Sequence, residues 1–382
     1  MAQWNRVPLI DYIELIGGGT PKTTVPEYWN GNIPWLSVKD FNNDKRYVYS
    51  TEKHISQSGF ENSPTKMLHK DDIIISARGT VGEIAMIPFD MAFNQSCYGI
   101  RASRGIDKPF LYYLLKNCIS QLKRMTHGSV FDTITRDTFA NIEVDIPDAE
   151  TQKRISSVLA DIDNKIEVND AINDNLQQQA ATLFKALFVD HAPFDGTMPP
   201  NWTISTLGDV TEMGAGGDKP KESSPVKTPL CPYPIYSNGI NDYGLYGYTN
   251  EPKIKVESVT VSARGTIGYV CLRHIPYVPI VRLVTLIPDT KVLSAKYLYL
   301  YLRQLHITGT GTTQQQLTVP DFRKTEIVIP GKNTMDAFTE TVTPLFEQIW
   351  ANEDENTKLA EVRDALLPKL MSGEIDVSAV QL

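Results

Sequence analysis

The short phrase Ser-Ala-Arg-Gly-Thr occurs twice in the chain, at residues 76–80 and 262–266. Arginine and threonine side chains can hydrogen-bond to phosphate, and glycine permits a tight turn or a close approach of phosphate to the backbone. Each copy follows an apolar run typical of a strand. We predict that the phrase anchors phosphate groups; the alternative is that it only shapes its own loop. The residues concerned are Arg78, Thr80, Arg264 and Thr266.

Patterns for catalysis or metal binding are missing from the sequence. There is no Gly-x-x-x-x-Gly-Lys-[Ser/Thr] phrase for nucleotide phosphates and no Asn-Pro-Pro-Tyr type phrase for adenine methylation. The glycines at residues 17–19, which precede Pro21 and Lys22, are interpreted as a turn because no strand-helix-strand frame surrounds them. Asp71 and Asp72 are interpreted as a solvated pair at a strand start. The six histidines and four cysteines lack metal-ligand spacing, so we expect no metal site.

The repeated phrase is part of a duplication of domain size. Similar openings occur at residues 4–9 and 202–207, and similar closings occur at residues 134–147 and 317–330, the closings at an offset of 183 residues. A period of this size is far too long for a solenoid repeat. We therefore predict two similar globular lobes; the alternative is two copies of one domain that share no function.

Two further segments carry apolar residues at heptad spacing, which predicts long helices packed as a coiled coil. One seam runs from Ile155 to Leu187, and the other runs from Phe338 to Leu370. Polar residues in such a seam fix its register, because a slip would place amides against leucines. Each seam has two asparagines at matching central positions, and the four predicted register residues are Asn169, Asn173, Asn352 and Asn356.

An antiparallel pairing of these segments matches the four asparagines with one another in two layers. Its one mismatch is Ile162 opposite Arg363, whose aliphatic stem could cover that layer. A parallel pairing would also align the asparagines, and two separate helices that each pack on their own lobe are the other alternative. An antiparallel pair about 50 Å long would place the lobes at opposite ends.

The predicted fold class is α+β, with two similar globular recognition domains separated by a pair of long antiparallel helices that form a coiled-coil spacer with pseudo-two-fold symmetry. The lobes are residues 1–147 and 191–330, and the central and C-terminal helical spacers are residues 148–190 and 331–382. The chain has a net charge of −8, and its acidic excess lies in the spacers, whereas the lobes are neutral or slightly basic. A neutral lobe can still present a basic face to a polyanion.

Composition favours a cytoplasmic globular protein. Hydrophobic residues make up 41% of the chain, and four widely spaced cysteines suit a reducing compartment. The N-terminal residues lack the pattern of a signal peptide, and no apolar run approaches the roughly 18 residues that span a bilayer. We therefore expect no membrane association.

The sequence resembles the specificity subunits of type I restriction-modification systems over essentially its whole length. Residues 366–375 read Leu-Leu-Pro-Lys-Leu-Met-Ser-Gly-Glu-Ile, a phrase that closes the last long helix of that family. Residues 34–40 and 233–239 are similar to phrases of its recognition domains. The first long helix departs from the pattern, because residues 183–188 lack the Pro-Lys and Ser-Gly-Glu parts.

The resemblance implies a non-catalytic subunit that reads a bipartite, asymmetric site in double-stranded DNA. It also implies two methylation subunits docked on the helices, and restriction subunits that can join. S-adenosylmethionine, ATP and Mg would bind to those partners, so no cofactor is expected in this chain. A stand-alone DNA-modifying enzyme and a scaffold that binds only protein are the alternatives.

Residues that differ between the lobes are better placed to read bases than residues that the lobes share, because the two half-sites should differ. The candidate base-reading residues are Lys39, Asn42 and Asn43 in the first lobe and Ser237, Asn238 and Asn241 in the second. Lysines beside the glycine-rich turns are candidate phosphate contacts, namely Lys22, Lys219 and Lys221.

Overall fold

A computed structural model describes residues 4–126, 133–309 and 316–377 of the chain. The chain divides into two compact units, which we call unit 1 (Met1–Ala171 with Glu353–Leu382) and unit 2 (Ile172–Asn352). Both boundaries fall inside long helices, so each unit combines a globular part with a portion of both helices. The α+β fold class predicted from the sequence is confirmed, with two similar units and two long helices.

Unit 1 contains strands in three sheets, ordered β1-β10, β2-β9-β6-β7 and β4-β3-β8-β5. The strands are β1 (Asn5–Pro8), β2 (Ile13–Gly17), β3 (Trp29–Leu36), β4 (Lys53–Ile55), β5 (Met67–Leu68), β6 (Ile73–Ser76), β7 (Ile84–Met86), β8 (Met91–Phe93), β9 (Cys97–Ala102) and β10 (Glu143–Ile146). The helices are α1 (Val38–Phe41), α2 (Gln57–Glu61), α3 (Lys108–Thr126), α4 (Arg136–Ala140) and α5 (Ala149–Phe188), which continues into unit 2.

Unit 2 repeats this arrangement, with sheets ordered β11-β20, β12-β19-β16-β17 and β13-β15-β14-β18. Its strands are β11 (Thr203–Thr206), β12 (Thr211–Ala215), β13 (Ser223–Ser224), β14 (Tyr233–Tyr236), β15 (Leu245–Thr249), β16 (Ser258–Val261), β17 (Val270–Arg273), β18 (Val278–Pro279), β19 (Val284–Pro288) and β20 (Glu326–Ile329). Its helices are α6 (Leu207–Val210), α7 (Ala295–Gln304), α8 (Val319–Phe322) and α9 (Lys332–Met371), which continues into unit 1.

Strand β6 shows how the sequence builds the sheet that carries the first repeated phrase. Its three isoleucines are β-branched, which favours a strand, and all are buried. Ile73 and Ile75 face one hydrophobic core together with α3, while Ile74 faces a second core on the opposite side. The phrase at residues 76–80 therefore leaves a strand that is fixed on both faces.

The two long helices pack against each other within each unit, and they run antiparallel. In unit 1, α5 meets α9 through Asn169 with Asn356, and one turn and a half earlier through Asp163 with Arg363. The residue numbers of α9 rise as those of α5 fall, which defines the direction. In unit 2, the rings of Phe184 and Phe338 lie 6.1 Å apart. Helices that pack only on separate lobes are thereby excluded.

The predicted asparagine layers are each joined by a hydrogen bond inside one unit. Asn169 Nδ2 donates to Asn356 Oδ1 over 2.8 Å in unit 1, and Asn352 Nδ2 donates to Asn173 Oδ1 over 2.8 Å in unit 2. Asn169 also donates to Glu355. A shift of one helix along the other would separate the paired amides and leave them without these hydrogen bonds, so the two layers oppose such a shift.

The layer expected to be covered by the aliphatic stem of Arg363 is instead an ionic network in unit 1, in which Arg363 and Asp163 are buried and Asp44 is exposed. The Arg363 guanidinium donates to Asp163 and to Asp44, each over 2.9 Å, and the Tyr113 hydroxyl donates to Asp163 over 2.6 Å. Burial alone would lower the pKa of Arg363, but its hydrogen bonds to Asp364 and Asp163 outweigh burial and raise the pKa. The seam pattern could not predict this, because Asp44 lies outside the helices.

Removal of Arg363 should destabilise unit 1, because the buried Asp163 carboxylate would lose its partner. We expect Arg363→Ala to lower the free energy of unfolding by about 3–5 kcal/mol in urea titrations of the full chain. The control is Arg154→Ala, which removes an exposed arginine that pairs with Glu150 on the same helix and should cost about 0.5 kcal/mol or less. Equal effects of the two substitutions would contradict the network's role.

Candidate functional site

The repeated phrase forms a turn that its own serine closes. In unit 1, the buried Ser76 hydroxyl donates to the Thr80 carbonyl over 2.5 Å and accepts from the Glu83 amide over 2.8 Å. Gly79 and Gly82 adopt φ angles of 79° and 85°, which favour glycine over any residue with a Cβ. The serine and glycines of the phrase therefore shape the loop.

The same construction recurs in unit 2. The Ser262 hydroxyl donates to the Thr266 carbonyl and accepts from the Tyr269 amide over 2.9 Å. Gly265 and Gly268 again have positive φ angles, of 68° and 84°. The duplication thus preserves a loop geometry, and this explains why the phrase reads alike in both units.

The side chains of the arginines and threonines take no part in that closure, which uses only the threonine carbonyls, and these side chains are exposed. The Arg264 guanidinium is oriented by Gln316, whose Oε1 accepts from Nε over 3.2 Å and from Nη2 over 3.0 Å. Arg78 and Thr80 face solvent at the corresponding place in unit 1. The turn is therefore rigid where it joins the sheet, and it displays one cation and one hydroxyl.

The two units support this turn by different groups. In unit 1, the Ser96 carbonyl accepts from the amides of Ala77 and Arg78 over 2.8 and 3.2 Å. In unit 2, the side chain of Asn238 takes this place, and its Oδ1 accepts from the Ala263 amide over 2.7 Å. The Asn238 Nδ2 donates to the Val281 carbonyl over 2.6 Å. Both ends of this amide are engaged, so Asn238 holds the loops in place, and its predicted contact with a base would require breaking these bonds.

The residues of unit 1 that are predicted to read bases lie on α1 and directly after it. Lys39 is exposed and lies 3.9 Å from Glu52. Asn42 follows the last residue of α1, and the Asn43 side chain accepts from the Lys45 amide over 3.2 Å. The structure places Lys39 on α1 and Asn42 and Asn43 directly after it, all exposed, and their contact with bases stays a prediction.

This loop is anchored to α5 by the residues that follow it. Lys45 pairs with Asp170 over 3.2 Å, and Arg46 donates to the Ala160 carbonyl and to Asn164. The neighbouring Tyr49 hydroxyl donates to Glu167 over 3.4 Å, and burial raises the pKa of this carboxyl. Positions 42–49 thus connect the predicted base-reading loop to the long helix, a connection that no sequence pattern indicated.

The remaining candidates lie on loops, and all of them except the half-buried Ser237 are exposed. The Lys22 carbonyl accepts from the Trp29 indole, which fixes the backbone of the first glycine-rich turn. In unit 2, the Lys219 ammonium lies 5.2 Å from the ring centroid of Tyr246, while the Ser237 amide donates to the Gly244 carbonyl. Lys221 and Asn241 are exposed. Unit 2 thus gathers its candidates around two loops, at residues 216–222 and 237–246.

Arg282 is an exposed residue beside these loops that the sequence patterns did not mark. It follows Val281, whose carbonyl is bound by Asn238. Neither a repeated phrase nor an adjacent glycine distinguishes it in the sequence. Within residues 4–126, 133–309 and 316–377, no cluster of three or more histidine, cysteine, aspartate or glutamate side chains could hold a metal ion. No helix in those same ranges is long and apolar enough to cross a membrane.

Known proteins share this organisation. A family described as "Type I restriction modification DNA specificity domain" matches residues 1–178 and 199–361. The MjaIX specificity subunit of Methanocaldococcus jannaschii, a type I restriction enzyme subunit, is 28% identical, and the match covers 98% of this chain and 94% of that protein. The HindI specificity subunit of Haemophilus influenzae is 26% identical over 70% of this chain and 77% of its own length.

A solved structure gives the same result for the fold. The S subunit of a type I restriction-modification system from M. genitalium superposes with a TM-score of 0.58 at 16% identity, covering 97% of this chain and 96% of that one. The fold built here from local contacts is therefore shared with a protein of very different sequence.

The exposed arginine of the shared turn should contribute affinity without sequence preference. We expect Arg78→Ala to weaken binding to every duplex DNA by a similar factor and to reduce the dependence of binding on salt by about one released counterion. Titrations of labelled duplexes at several salt concentrations measure both quantities. Arg154→Ala, which removes an equal charge from α5, is the control. A change in the preferred base would rule out phosphate anchoring.

Proposed function

Because this chain belongs to the type I restriction modification DNA specificity family, we propose that it selects the DNA sequence on which a type I restriction-modification complex acts. The observation that carries the proposal is the rigid turn found once in each unit, with an exposed arginine and different loops around it. The shared arginines would hold the phosphate backbone, and the differing loops would read bases.

The site would have two unlike halves. Residue 37 is followed by the short helix α1 in unit 1, whereas the corresponding Ser237 is followed by a loop with two non-glycine residues in the left-handed region. Surfaces that differ in this way present different donors and acceptors to the major groove, and so recognise different bases. The DNA site would therefore be bipartite and asymmetric.

The long helices would set the number of base pairs between the half-sites. Support comes from the asparagine layers, which fix the register of α5 against α9 within each unit. A packed helix pair keeps its length, whereas an unstructured linker would allow a range of lengths. The number of helical turns would then determine how many base pairs separate the half-sites.

The chain would act without chemistry of its own. Its relatives bear the name of specificity subunits, and we propose two methylation subunits and, in the full complex, restriction subunits as partners. S-adenosylmethionine, ATP and Mg would bind to those partners. The acidic segments 148–190 and 331–382 favour contact with protein rather than with phosphate.

Mapping of methylated adenines tests this proposal. The chain is co-expressed with its neighbouring methylation subunit in a host that lacks adenine methylation, and the genome is sequenced for the modified base. We expect one interrupted motif with unlike halves, which disappears when either subunit is omitted. Methylation by this chain alone would instead indicate a stand-alone enzyme, and a complex that binds no DNA would indicate a protein scaffold.

Exchange of one lobe should change one half of the motif. When residues 1–147 are replaced by the corresponding lobe of a relative with another target, the half-site read by residues 191–330 should stay the same. The replaced half should become that of the donor, because each set of loops reads its own bases. Methylation mapping gives both halves at once, and a change in both would contradict independent recognition.

A longer helix pair should widen the gap in the motif. Seven residues are inserted after Ala171 in α5 and seven after Asn352 in α9, so that the contacts inside each unit are kept. The added helix is about 10 Å long, or about three base pairs. Insertion in α5 alone serves as the control, because it cannot preserve the pairing and should abolish methylation. An unchanged gap with both insertions would contradict the proposal that the helices set the distance between the half-sites.

A further inference from the structure

Unit 2 carries two exposed turns in which two successive residues other than glycine adopt left-handed backbone angles. In one, Asp242 and Tyr243 have φ angles of 47° and 54°; in the other, Val281 and Arg282 have φ angles of 52° and 63°. A β-branched residue such as valine strongly disfavours this region. Such strain persists only where surrounding contacts impose it, and it is concentrated at functional sites.

The turn at Val281 and Arg282 is held by backbone hydrogen bonds on both sides. The amides of Val281 and Arg282 donate to the carbonyls of Gly217 and Gly216 over 2.8 and 2.9 Å, and the Leu283 amide donates to the Ile280 carbonyl over 3.0 Å. A Cβ on Gly216 would lie 2.8 Å from the Ile280 backbone, so glycine is needed for this approach. The backbone of the turn is therefore fixed before any ligand arrives.

Side-chain donors fix both strained turns from the sheet side. Asn238 donates to the Val281 carbonyl and accepts from the Ala263 amide, which joins this turn to the turn that carries Arg264. In the same way, the buried Arg273 stacks on Tyr236 and donates to the Tyr243 carbonyl over 2.6 Å. These hydrogen bonds hold the backbone of both turns at the surface of the unit.

The side chains of these turns are exposed to solvent. Arg282 is exposed, and its guanidinium forms no hydrogen bond or ion pair with the residues that the structure describes. The neighbouring Val281 side chain is 49% exposed, and Tyr243 and Tyr246 are exposed by about half. Because the backbone of this turn is already held, binding through Arg282 would order its side chain without also having to order the loop.

Unit 1 differs at the corresponding position. The repeated phrase makes Ile75 equivalent to Val261, and these residues pair with Tyr98 and Val284, so Ser96 corresponds to Arg282. Ser96 does not adopt a left-handed angle, and its carbonyl supports the Arg78 turn. The place beside the shared turn is therefore occupied by different side chains in the two units, as direct base recognition requires.

We propose that Arg282 is a base-reading residue of unit 2, which donates two hydrogen bonds to N7 and O6 of a guanine in the major groove while Arg264 holds the adjacent phosphate. This inference rests on the proposed function and specifies the residue that determines one position of the motif. Arginine suits guanine because its planar fork matches the two acceptors of this base edge.

Arg282→Gln tests the assignment, because a glutamine side chain pairs with N6 and N7 of adenine. The full chain, in complex with its methylation subunits, is used to select duplexes from a random library, and bound sequences are counted. One guanine in the half-site assigned to residues 191–330 should lose roughly ten- to hundredfold of its preference, with adenine gaining most. All positions of the other half-site should stay unchanged.

Arg264→Ala is the matched control, because it removes an equal charge from the neighbouring turn in the same unit. It should weaken binding to all sequences and leave the motif unchanged. If Arg282→Gln also weakens binding uniformly, Arg282 contacts phosphate and the inference is wrong. An unaltered motif, or a change in the other half-site, would overturn it equally. Thermal unfolding of each variant should match the unsubstituted chain, since both side chains are exposed.

The outcome separates this inference from the proposed function. If the unsubstituted complex selects no sequence, the proposed function fails. If it selects a bipartite motif and Arg282→Gln selects the same one, the proposed function stands and only the assignment of Arg282 fails.

Discussion

The packing of α5 against α9 is the constraint on which the rest of the structure depends. Each helix contributes to the core of both units, so a shift in their register would disturb two hydrophobic cores at once. The amide pairs Asn169–Asn356 and Asn173–Asn352 oppose that shift, because a displaced amide would lie against apolar side chains without a partner. A polar layer that adds little stability thus gives the helix pair a single alignment.

The duplication has preserved the backbone of the shared turn more strictly than its surroundings. Serine closure and positive φ glycines recur in both units, whereas the support behind the turn is a carbonyl from Ser96 in one and an amide from Asn238 in the other. A rigid turn with an exposed arginine suits phosphate contacts at any target sequence. Its neighbours can diverge because they are held by separate contacts, and this division suits recognition of two unlike half-sites.

The helix layers next to the asparagines have diverged in the same manner. At an offset of 183 residues, Asp163 and Arg363 of unit 1 correspond to Phe346 and Ala180 of unit 2, so an ionic layer replaces an apolar one. Tyr113 donates to Asp163, whereas Tyr299 packs edge-on against Phe346 with ring centroids 5.8 Å apart. The ionic layer pairs its buried charges, and the apolar layer packs its rings closely, so each satisfies the groups that it buries.

The sequence by itself determined the α+β class, the duplication, the two long helices and the asparagine pairs, because heptad spacing and repeated phrases are periodic signals within the chain. Only the tertiary structure shows the contacts of Arg363 and Asn238 and the exposed left-handed turn at Arg282. Arg363 pairs with Asp44, which lies 319 residues away, and Asn238 bridges two loops that are distant in sequence. The left-handed turn at Val281 and Arg282 contains no glycine or asparagine, so its sequence does not predict it. Contacts from Gly216, Gly217 and Asn238 impose this conformation against local preference.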